Sequence, residues 1–262
     1  MIPYPFTYRR ATSVDDAVAL LGASPDGKLL AGGQTLIAAM KMRLANPSDL
    51  IDISGIKELS YIRASAGAIA IGAATTHFEV ATSKAIPALA HVAGVIGDPA
   101  VRYKGTLGGS VANNDPAADY PAAVLGLGAT IKTNRRTIAA DDFFQGMFTT
   151  ALEESEIVTE VSFPVPEKAA YKKFANPASR YAMAGVFVAK FSDGIRVAVT
   201  GAGPCVFRVP EMEAALAKSF TPDAVAGIAV SPDGLNSDIH GSAEYRAHLV
   251  TVMARRAVAE AA

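Results

Sequence analysis

The feature that most constrains the fold of this chain is a glycine pair between an apolar strand and a helix. Lys28–Ala31 is predicted to be the strand, and it leads directly into Gly32-Gly33. Apolar residues recur at helical spacing just after this pair, and Asp49–Ile53 is predicted to be the next strand. The sequence therefore predicts a small βαβ unit over residues 28–53, and with it a fold that contains both helices and sheets.

The six residues Ala31-Gly32-Gly33-Gln34-Thr35-Leu36 have the properties of a phosphate-binding loop. Glycine lets the backbone approach a ligand closely. A helix start supplies free N–H groups and the positive end of the helix dipole, and the hydroxyl of Thr35 is a further donor. A glycine pair before a helix is also common in ordinary tight turns, so this loop alone leaves both interpretations open.

A second glycine motif, Thr106-Leu107-Gly108-Gly109-Ser110, lies within Gly97–Asp119, which is predicted to be one long loop. Small polar residues follow the motif, among them Asn113 and Asp119. A structureless segment of this length inside a compact domain usually has a function, and ligand binding is the usual one. Together the two motifs favour a dinucleotide, although neither has the Gly-x-Gly-x-x-Gly fingerprint of Rossmann folds or the Walker-type phosphate loop.

These two motifs, with the run Asn113–Ala122 after the second, resemble the FAD-binding medium subunit of the molybdenum hydroxylases, the flavoprotein of the carbon monoxide dehydrogenase and xanthine dehydrogenase family. The similarity runs from Tyr4-Pro5-Phe6 through Arg180-Tyr181-Ala182 to Arg255-Arg256-Ala257. It implies an α+β fold of the PCMH (vanillyl-alcohol-oxidase-like) type with two FAD-binding subdomains, residues 1–56 and 57–166, and a small C-terminal α+β domain, residues 167–262.

The resemblance also implies roles for particular residues. It implies that both glycine motifs contact the FAD diphosphate, through Ala31, Gly32, Gly33, Gln34, Thr35, Leu36, Thr106, Leu107, Gly108 and Gly109. It places Asn113 and Asp119 near the ribityl and ribose groups, and Tyr181 over the flavin ring. The residues themselves leave open, for Tyr181, the alternative of a half-buried aromatic on a strand or turn. Arg180 precedes this tyrosine where the family carries an acidic residue, so the local charge differs. We expect no catalytic residue and no metal ligand in this chain.

Membership of this family implies an electron-transfer subunit of an oxidoreductase. A large partner is expected to hold the molybdenum cofactor, and a small partner is expected to pass electrons from [2Fe-2S] clusters to the FAD of this chain. The resemblance implies a dimer of heterotrimers. It leaves the substrate open among carbon monoxide, purines, aldehydes and N-heterocycles, and the external acceptor open among NAD, quinone and oxygen. Two alternatives are a self-sufficient PCMH-type FAD oxidoreductase and a flavin-free nucleotide-binding scaffold module.

Composition narrows the remaining classes of function. A net charge of -1 gives no reason to expect nucleic acid as a partner. The single cysteine, Cys205, excludes a Cys-ligated iron–sulfur cluster held by this chain alone and is compatible with the cytoplasm, the expected location. No apolar run is long enough to span a membrane. The four histidines are predicted to be surface or capping residues. Lys172 and Lys173 are predicted to be exposed beside a strand, and the alternative is that they place positive charge near an anionic reduced flavin.

Overall fold

A computed structural model of the chain describes residues 1–65 and 67–261 and shows a mixture of helices and strands. The α-helices are α1 Val14–Gly22, α2 Leu36–Lys41, α3 His77–Thr82, α4 Pro87–Gly94, α5 Pro99–Arg102, α6 Leu107–Asn113, α7 Tyr120–Gly126, α8 Ala140–Phe143, α9 Pro210–Lys218 and α10 Ala243–Ala261. The strands are β1 Thr7–Arg10, β2 Lys28–Leu30, β3 Asp49–Asp52, β4 Ile62–Ser65, β5 Ala68–Gly72, β6 Thr130–Thr133, β7 Thr137–Ala139, β8 Phe144–Gly146, β9 Thr149–Thr150, β10 Val158–Pro164, β11 Lys168–Ala175, β12 Ala182–Phe191, β13 Gly194–Thr200 and β14 Phe207–Arg208.

The N-terminal part is a parallel three-stranded sheet in the order β1-β3-β2. Strands β2 and β3 and helix α2 form the predicted βαβ unit, with Leu30 opposite Asp52 in the parallel pair. Helix α1 begins where the sequence predicts because the Oγ of Ser13 accepts the N–H of Asp16 at 3.1 Å and caps the helix. The apolar side of α1 packs on this sheet around Ile51, which is fully buried.

The second sheet is antiparallel and has five strands in the order β4-β5-β10-β6-β7. Strand β10 lies at its centre and pairs with β5 on one side and β6 on the other. The buried face of this sheet shares one hydrophobic core with α4, α6 and α7. Its side chains include Ile71, Ile131 and Val161. This core fixes the starts of α6 and α7 relative to the sheet.

The third sheet is antiparallel, in the order β11-β12-β13-β14, and it contains the predicted hairpin at Ser192-Asp193-Gly194. Alternate residues of β12 enter different cores. Phe187 joins the core of the second sheet, whereas Val186 and Val188 pack under α9 and α10. Helix α7 is buried at every position; it packs against β12, β13 and β14 of the third sheet and shares the hydrophobic core of the second. The C-terminal part therefore packs directly against the glycine-motif region.

The prediction that Gly97–Asp119 forms one long loop is wrong, because it contains α5 and α6. Both helices begin at a side-chain cap. The Oδ1 of Asp98 accepts the N–H of Val101 at 2.9 Å, and the Oγ1 of Thr106 accepts the N–H of Gly109 at 3.2 Å. Among the described helices, none has the length and apolar character needed to cross a membrane.

Candidate functional site

Both glycine motifs line a single cleft of about 670 Å³, a volume that suits a small-molecule or cofactor site. Residues 179–181, which follow β11, line the same cleft. Twelve of the thirteen residues expected to contact the cofactor lie on its wall, namely Ala31, Gly32, Gly33, Gln34, Thr35, Leu36, Thr106, Gly108, Gly109, Asn113, Asp119 and Tyr181. Leu107 is the exception, because its side chain is fully buried in the core of the second sheet.

The first glycine motif is in direct backbone contact with Lys104 and Gly105, the two residues just before the second motif. A Cβ atom at Gly32 would lie 2.0 Å from the carbonyl oxygen of Lys104 and 2.7 Å from the Cα of Gly105. A Cβ at Gly108 would lie 2.4 Å from the Cβ of Ala73. Glycine is therefore required at positions 32 and 108 by the packing of the protein itself, in addition to any approach by a ligand.

The residues of the first motif line the cleft and carry a run of backbone N–H groups that are free to bind a ligand. Gly33 has φ +71°, the left-handed conformation that favours glycine. Within residues 1–65 and 67–261, no acceptor is found for the five N–H groups from Gly32 to Leu36, and the first N–H after them, that of Ile37, donates to the carbonyl of Gly33 at 3.0 Å. Consecutive N–H groups that lack acceptors and line a concave surface form an anion-binding arrangement.

The second motif forms part of the cleft wall, but it does not supply a second run of N–H groups without acceptors, because its N–H groups from Leu107 to Ser110 are hydrogen-bonded within the protein. The N–H groups of Leu107 and Gly108 donate to the carbonyls of Thr75 and Ala73 at 3.0 and 2.8 Å. Gly109 is exposed, and the atoms nearest to an added Cβ would be Thr106 Oγ1 at 2.8 Å and Ala31 Cβ at 3.8 Å. Position 109 therefore opens into the space between the motifs.

Two polar side chains extend this wall. Ser110 supplies a hydroxyl and Asn113 supplies an amide, and both residues line the cleft. Ser110 is not one of the expected contact residues, although it is the last residue of the second glycine motif. A hydroxyl and an amide can each donate and accept hydrogen bonds, which suits sugar hydroxyl groups.

Asp119 lies at the start of α7 with its carboxylate engaged inside the protein. The hydroxyl of Tyr171 donates to its Oδ1 at 2.6 Å, and the Nζ of Lys173 lies 3.0 Å away. Burial raises the pKa of Asp119, and Lys173 and Tyr171 oppose that shift. The prediction that Lys172 and Lys173 are both exposed is wrong for Lys173, whose side chain is 9% exposed. Lys172 is more accessible and pairs with Glu260.

Tyr181 is 47% exposed and lies at the junction of the cleft with a second cavity of about 520 Å³. Partial burial raises the pKa of its hydroxyl, and the negative charge of Asp115 adds to the shift. The phenol is therefore neutral at physiological pH, and its ring has an accessible face.

His77 is a cleft residue that the sequence analysis missed. The prediction of a surface or capping role is wrong, since the residue is 4% exposed and lines the cleft beside Gly105. Burial lowers the pKa of His77 to about 4, helped by the charge of Arg102, and keeps the imidazole neutral. The capping box of Thr76 and Glu79 fixes the helix start at this position, but contact with the second motif is non-local and leaves no sequence signal.

Within the described part of the chain, no group of three or more His, Cys, Asp or Glu side chains is placed to hold a metal ion. The chemical groups that line the cleft include backbone N–H donors, small polar side chains, the phenol ring of Tyr181 and the neutral imidazole of His77. This set suits an anionic ligand that also carries hydroxyl groups and a flat ring.

Comparison with known proteins identifies the family. Residues 4–166 match the FAD-binding domain in molybdopterin dehydrogenase, and residues 169–261 match the CO dehydrogenase flavoprotein C-terminal domain. The chain is 35% identical to the glyceraldehyde dehydrogenase medium chain of Sulfolobus acidocaldarius, over 100% of both chains. It is 37% identical to the carbon monoxide dehydrogenase medium chain of Hydrogenophaga pseudoflava, over 98% of this chain and 97% of the relative.

A solved structure gives the same result. The fold matches a chain of the reconstituted CO dehydrogenase from Oligotropha carboxidovorans with a TM-score of 0.92 and 35% sequence identity, over 100% of this chain and 99% of that chain. These matches confirm the predicted fold class and the predicted cofactor. The chain belongs to the family of FAD-binding medium subunits of molybdenum hydroxylases, which includes the carbon monoxide and xanthine dehydrogenase flavoproteins.

Proposed function

We propose that this chain is the electron-transfer subunit of a molybdenum hydroxylase complex and holds one FAD in the cleft between its glycine motifs. The observation that carries the proposal is the run of five N–H groups from Gly32 to Leu36, which have no acceptor among the described residues and belong to residues that line this cleft. FAD supplies the redox chemistry, as flavins do in other electron-transfer proteins. The residues of this chain bind the cofactor, orient it and exclude water from it.

The residues of the cleft fit FAD. The N–H groups of the first motif donate to the diphosphate, and the exposed Gly109 leaves room for it. Ser110 and Asn113 donate to sugar and ribityl hydroxyl groups. Tyr181 covers one face of the flavin ring, since an aromatic ring packs favourably on another.

The remaining expected contact residues either line the cleft or support its lining from the protein interior. Ala31, Gln34 and Thr35 line the first motif, and Thr106 caps α6 beneath the second. Leu107 and Gly108 anchor the second motif in the core. Asp119 acts through the hydrogen bonds of its carboxylate to Tyr171 and Lys173.

The relatives support a role within a larger complex. The similar proteins are medium chains of multi-subunit enzymes. Their names include carbon monoxide, glyceraldehyde and nicotine at 35 to 37% identity, so the same subunit type serves enzymes with different substrates. For this chain we propose a large molybdenum subunit and a small [2Fe-2S] subunit as partners, a dimer of heterotrimers as the assembly, and a cytoplasmic location.

We also propose a division into subdomains at residues 1–56 and 57–166 and a C-terminal domain at 167–262. Its support is that the three larger sheets lie in these three segments in turn, with the two-stranded sheet β8-β9 also in the second segment. The cleft lies where they meet, because its wall takes the first motif from one segment, the second motif from the next and Tyr181 from the last. The two alternatives, a self-sufficient oxidoreductase and a flavin-free scaffold, are not favoured by the family matches.

Purification from the native host tests the proposal. The protein is isolated without harsh salt, its visible spectrum is recorded, and molybdenum and iron are assayed. We expect a yellow protein that co-purifies with both metals and with two further chains. A yellow, metal-free monomer that turns over a substrate by itself contradicts the subunit role, and a colourless protein contradicts FAD binding.

A further inference from the structure

Lys173 lies behind the wall of the cleft, where three segments of the chain converge, and two of its partners, Asp119 and Arg180, line the cleft. Its Nζ is 2.9 Å from the carbonyl oxygen of Val95, 3.0 Å from Oδ2 of Asp119 and 2.8 Å from the carbonyl oxygen of Arg180. An ammonium group has three N–H donors, so these three acceptors use all of them. The side chain, which comes from β11, thus connects the region after α4, the start of α7 and the turn before Tyr181.

The turn that carries Tyr181 is compact and strained. Arg180 has φ +63°, a left-handed conformation that costs a residue with a side chain about 1 kcal/mol or more. Asn176 closes the turn, because its N–H donates to the carbonyl of Tyr181 and its carbonyl accepts the N–H of Arg180, both at 2.8 Å. Such a conformation persists only where surrounding contacts hold it. The bond from Lys173 to the carbonyl of Arg180 is one of those contacts.

We propose that Lys173 is a positioning residue that holds the 176–181 turn so that Tyr181 covers the flavin ring in the cleft. The proposal rests on the proposed function, which places the ring beside Tyr181. Lys173 does not itself contact the ring in this assignment. It acts through the backbone of the turn.

The environment of Lys173 explains why a charged residue occupies this position. The carboxylate of Asp119 is almost fully buried and needs a compensating cation and donors. Three oxygens from different segments can be satisfied together by one ammonium group, whereas an apolar side chain satisfies none of them. The adjacent Lys172 has a different role, since it forms a partly exposed ion pair with Glu260 at the end of α10.

The first measurement tests the connection without reference to the flavin. Amide hydrogen exchange across residues 176–181 is followed in the intact complex for the wild type, Lys173→Met and the matched control Lys172→Met. We expect exchange in the turn to be at least about tenfold faster in Lys173→Met, the factor expected for the loss of a hydrogen bond from a charged group. We expect no change in Lys172→Met. Unchanged exchange in Lys173→Met overturns the proposal.

Lys173→Met leaves a buried carboxylate without its cation, and this can impair folding. The double variant Lys173→Met/Asp119→Asn removes both charges and provides a second test of the same turn. It is expected to show the same increase in exchange at residues 176–181 while the third sheet exchanges as in the wild type. An increase spread evenly over the third sheet instead overturns the positioning role.

The second measurement tests whether the effect reaches the flavin through Tyr181. The probe is collisional quenching of the bound flavin's fluorescence by iodide. It is measured for Lys173→Met, for Tyr181→Ala and for the double variant Lys173→Met/Tyr181→Ala. We expect each single variant to raise the quenching constant severalfold and the double variant to match Tyr181→Ala, because two residues that act in series are not additive. Additive effects overturn the proposal. If Tyr181→Ala leaves quenching unchanged, the placement of the ring is wrong, whatever the exchange of the turn shows.

Discussion

Replacing Gly32 by alanine tests whether close packing of the two glycine motifs creates the cofactor site. A Cβ at position 32 would lie 2.0 Å from the carbonyl oxygen of Lys104, and real Cβ atoms essentially never approach closer than 3.0 Å. Both neighbours within 3 Å of this Cβ are backbone, in Lys104 and Gly105, so no flexible side chain can move aside. The two motifs must therefore separate by about 1 Å, judged from these distances.

The size of the effect follows from this displacement. Overpacking of a well-packed site costs about 1 to 3 kcal/mol, which corresponds to a Tm lower by roughly 2 to 10 °C for a chain of this size. Shifting the N–H groups of the first motif away from a charged diphosphate removes at least one charge-assisted hydrogen bond. The expected loss of FAD affinity is about 10- to 100-fold.

Three measurements on the intact complex check this prediction: the FAD-to-protein ratio, the Kd of FAD for the flavin-stripped protein, and the Tm. Gly22→Ala is the control, because nothing lies within 4 Å of an added Cβ there. It should leave FAD binding unchanged and stabilise the end of α1 by up to about 1 kcal/mol. A Gly32→Ala protein with full flavin content, wild-type Kd and wild-type Tm would refute the reasoning.

Other predictions concern the second motif and the response to acid. Gly109→Val should remove FAD, because the side chain enters the space beside Ala31, and retention of full flavin content would show that the diphosphate lies elsewhere. His77 has its folded-state pKa lowered to about 4 from 6.5, so the stability it contributes is complete above pH 6.5 and is lost as the pH falls towards 4. His77→Gln should reduce the change in unfolding free energy between pH 6.5 and pH 4 by roughly 3 kcal/mol. Urea denaturation at each pH measures this change, and a pH dependence equal to that of the wild type would contradict a buried neutral imidazole. Arg136 lowers the pKa of Glu156 to about 2 from 4.5, so this carboxylate stabilises the fold above pH 4.5 and loses its effect between pH 4.5 and 2. Glu156→Gln should make the loss of folded protein between pH 4.5 and pH 2 less steep. An acid unfolding curve identical to that of the wild type would contradict the stabilising role of this carboxylate.

Elements with local signals could be predicted from the sequence. The cap at Ser13, the βαβ unit around Gly32-Gly33 and the hairpin at Asp193 each depend on residues a few positions apart. In the functional site, nine of the twelve predicted residues that line the cleft belong to the two motifs, each of which is contiguous in sequence, whereas the family resemblance placed Asn113, Asp119 and Tyr181 there. Whether they contact FAD as proposed is what the glycine variants test.

Features that depend on distant contacts could not be predicted. Helix α6 contains two glycines, which disfavour a helix, yet Gly108 must pack on Ala73 and the cap at Thr106 stabilises the first turn. His77 is buried where Gly105 and Tyr120, both distant in sequence, pack against its ring. Lys173 is buried because Asp119, distant in sequence, provides a counter-charge. None of these pairings leaves a local pattern.

The N–H groups of the first glycine motif are the groups proposed to hold the diphosphate of FAD. Hydrogen exchange at the amides of residues 32–36, compared between the flavin-stripped and FAD-loaded complex, tests it most directly. These amides have no acceptor within the described residues, so the account predicts fast exchange without flavin and strong protection when FAD is bound. Equally fast exchange at residues 32–36 in a fully flavinated protein would contradict it.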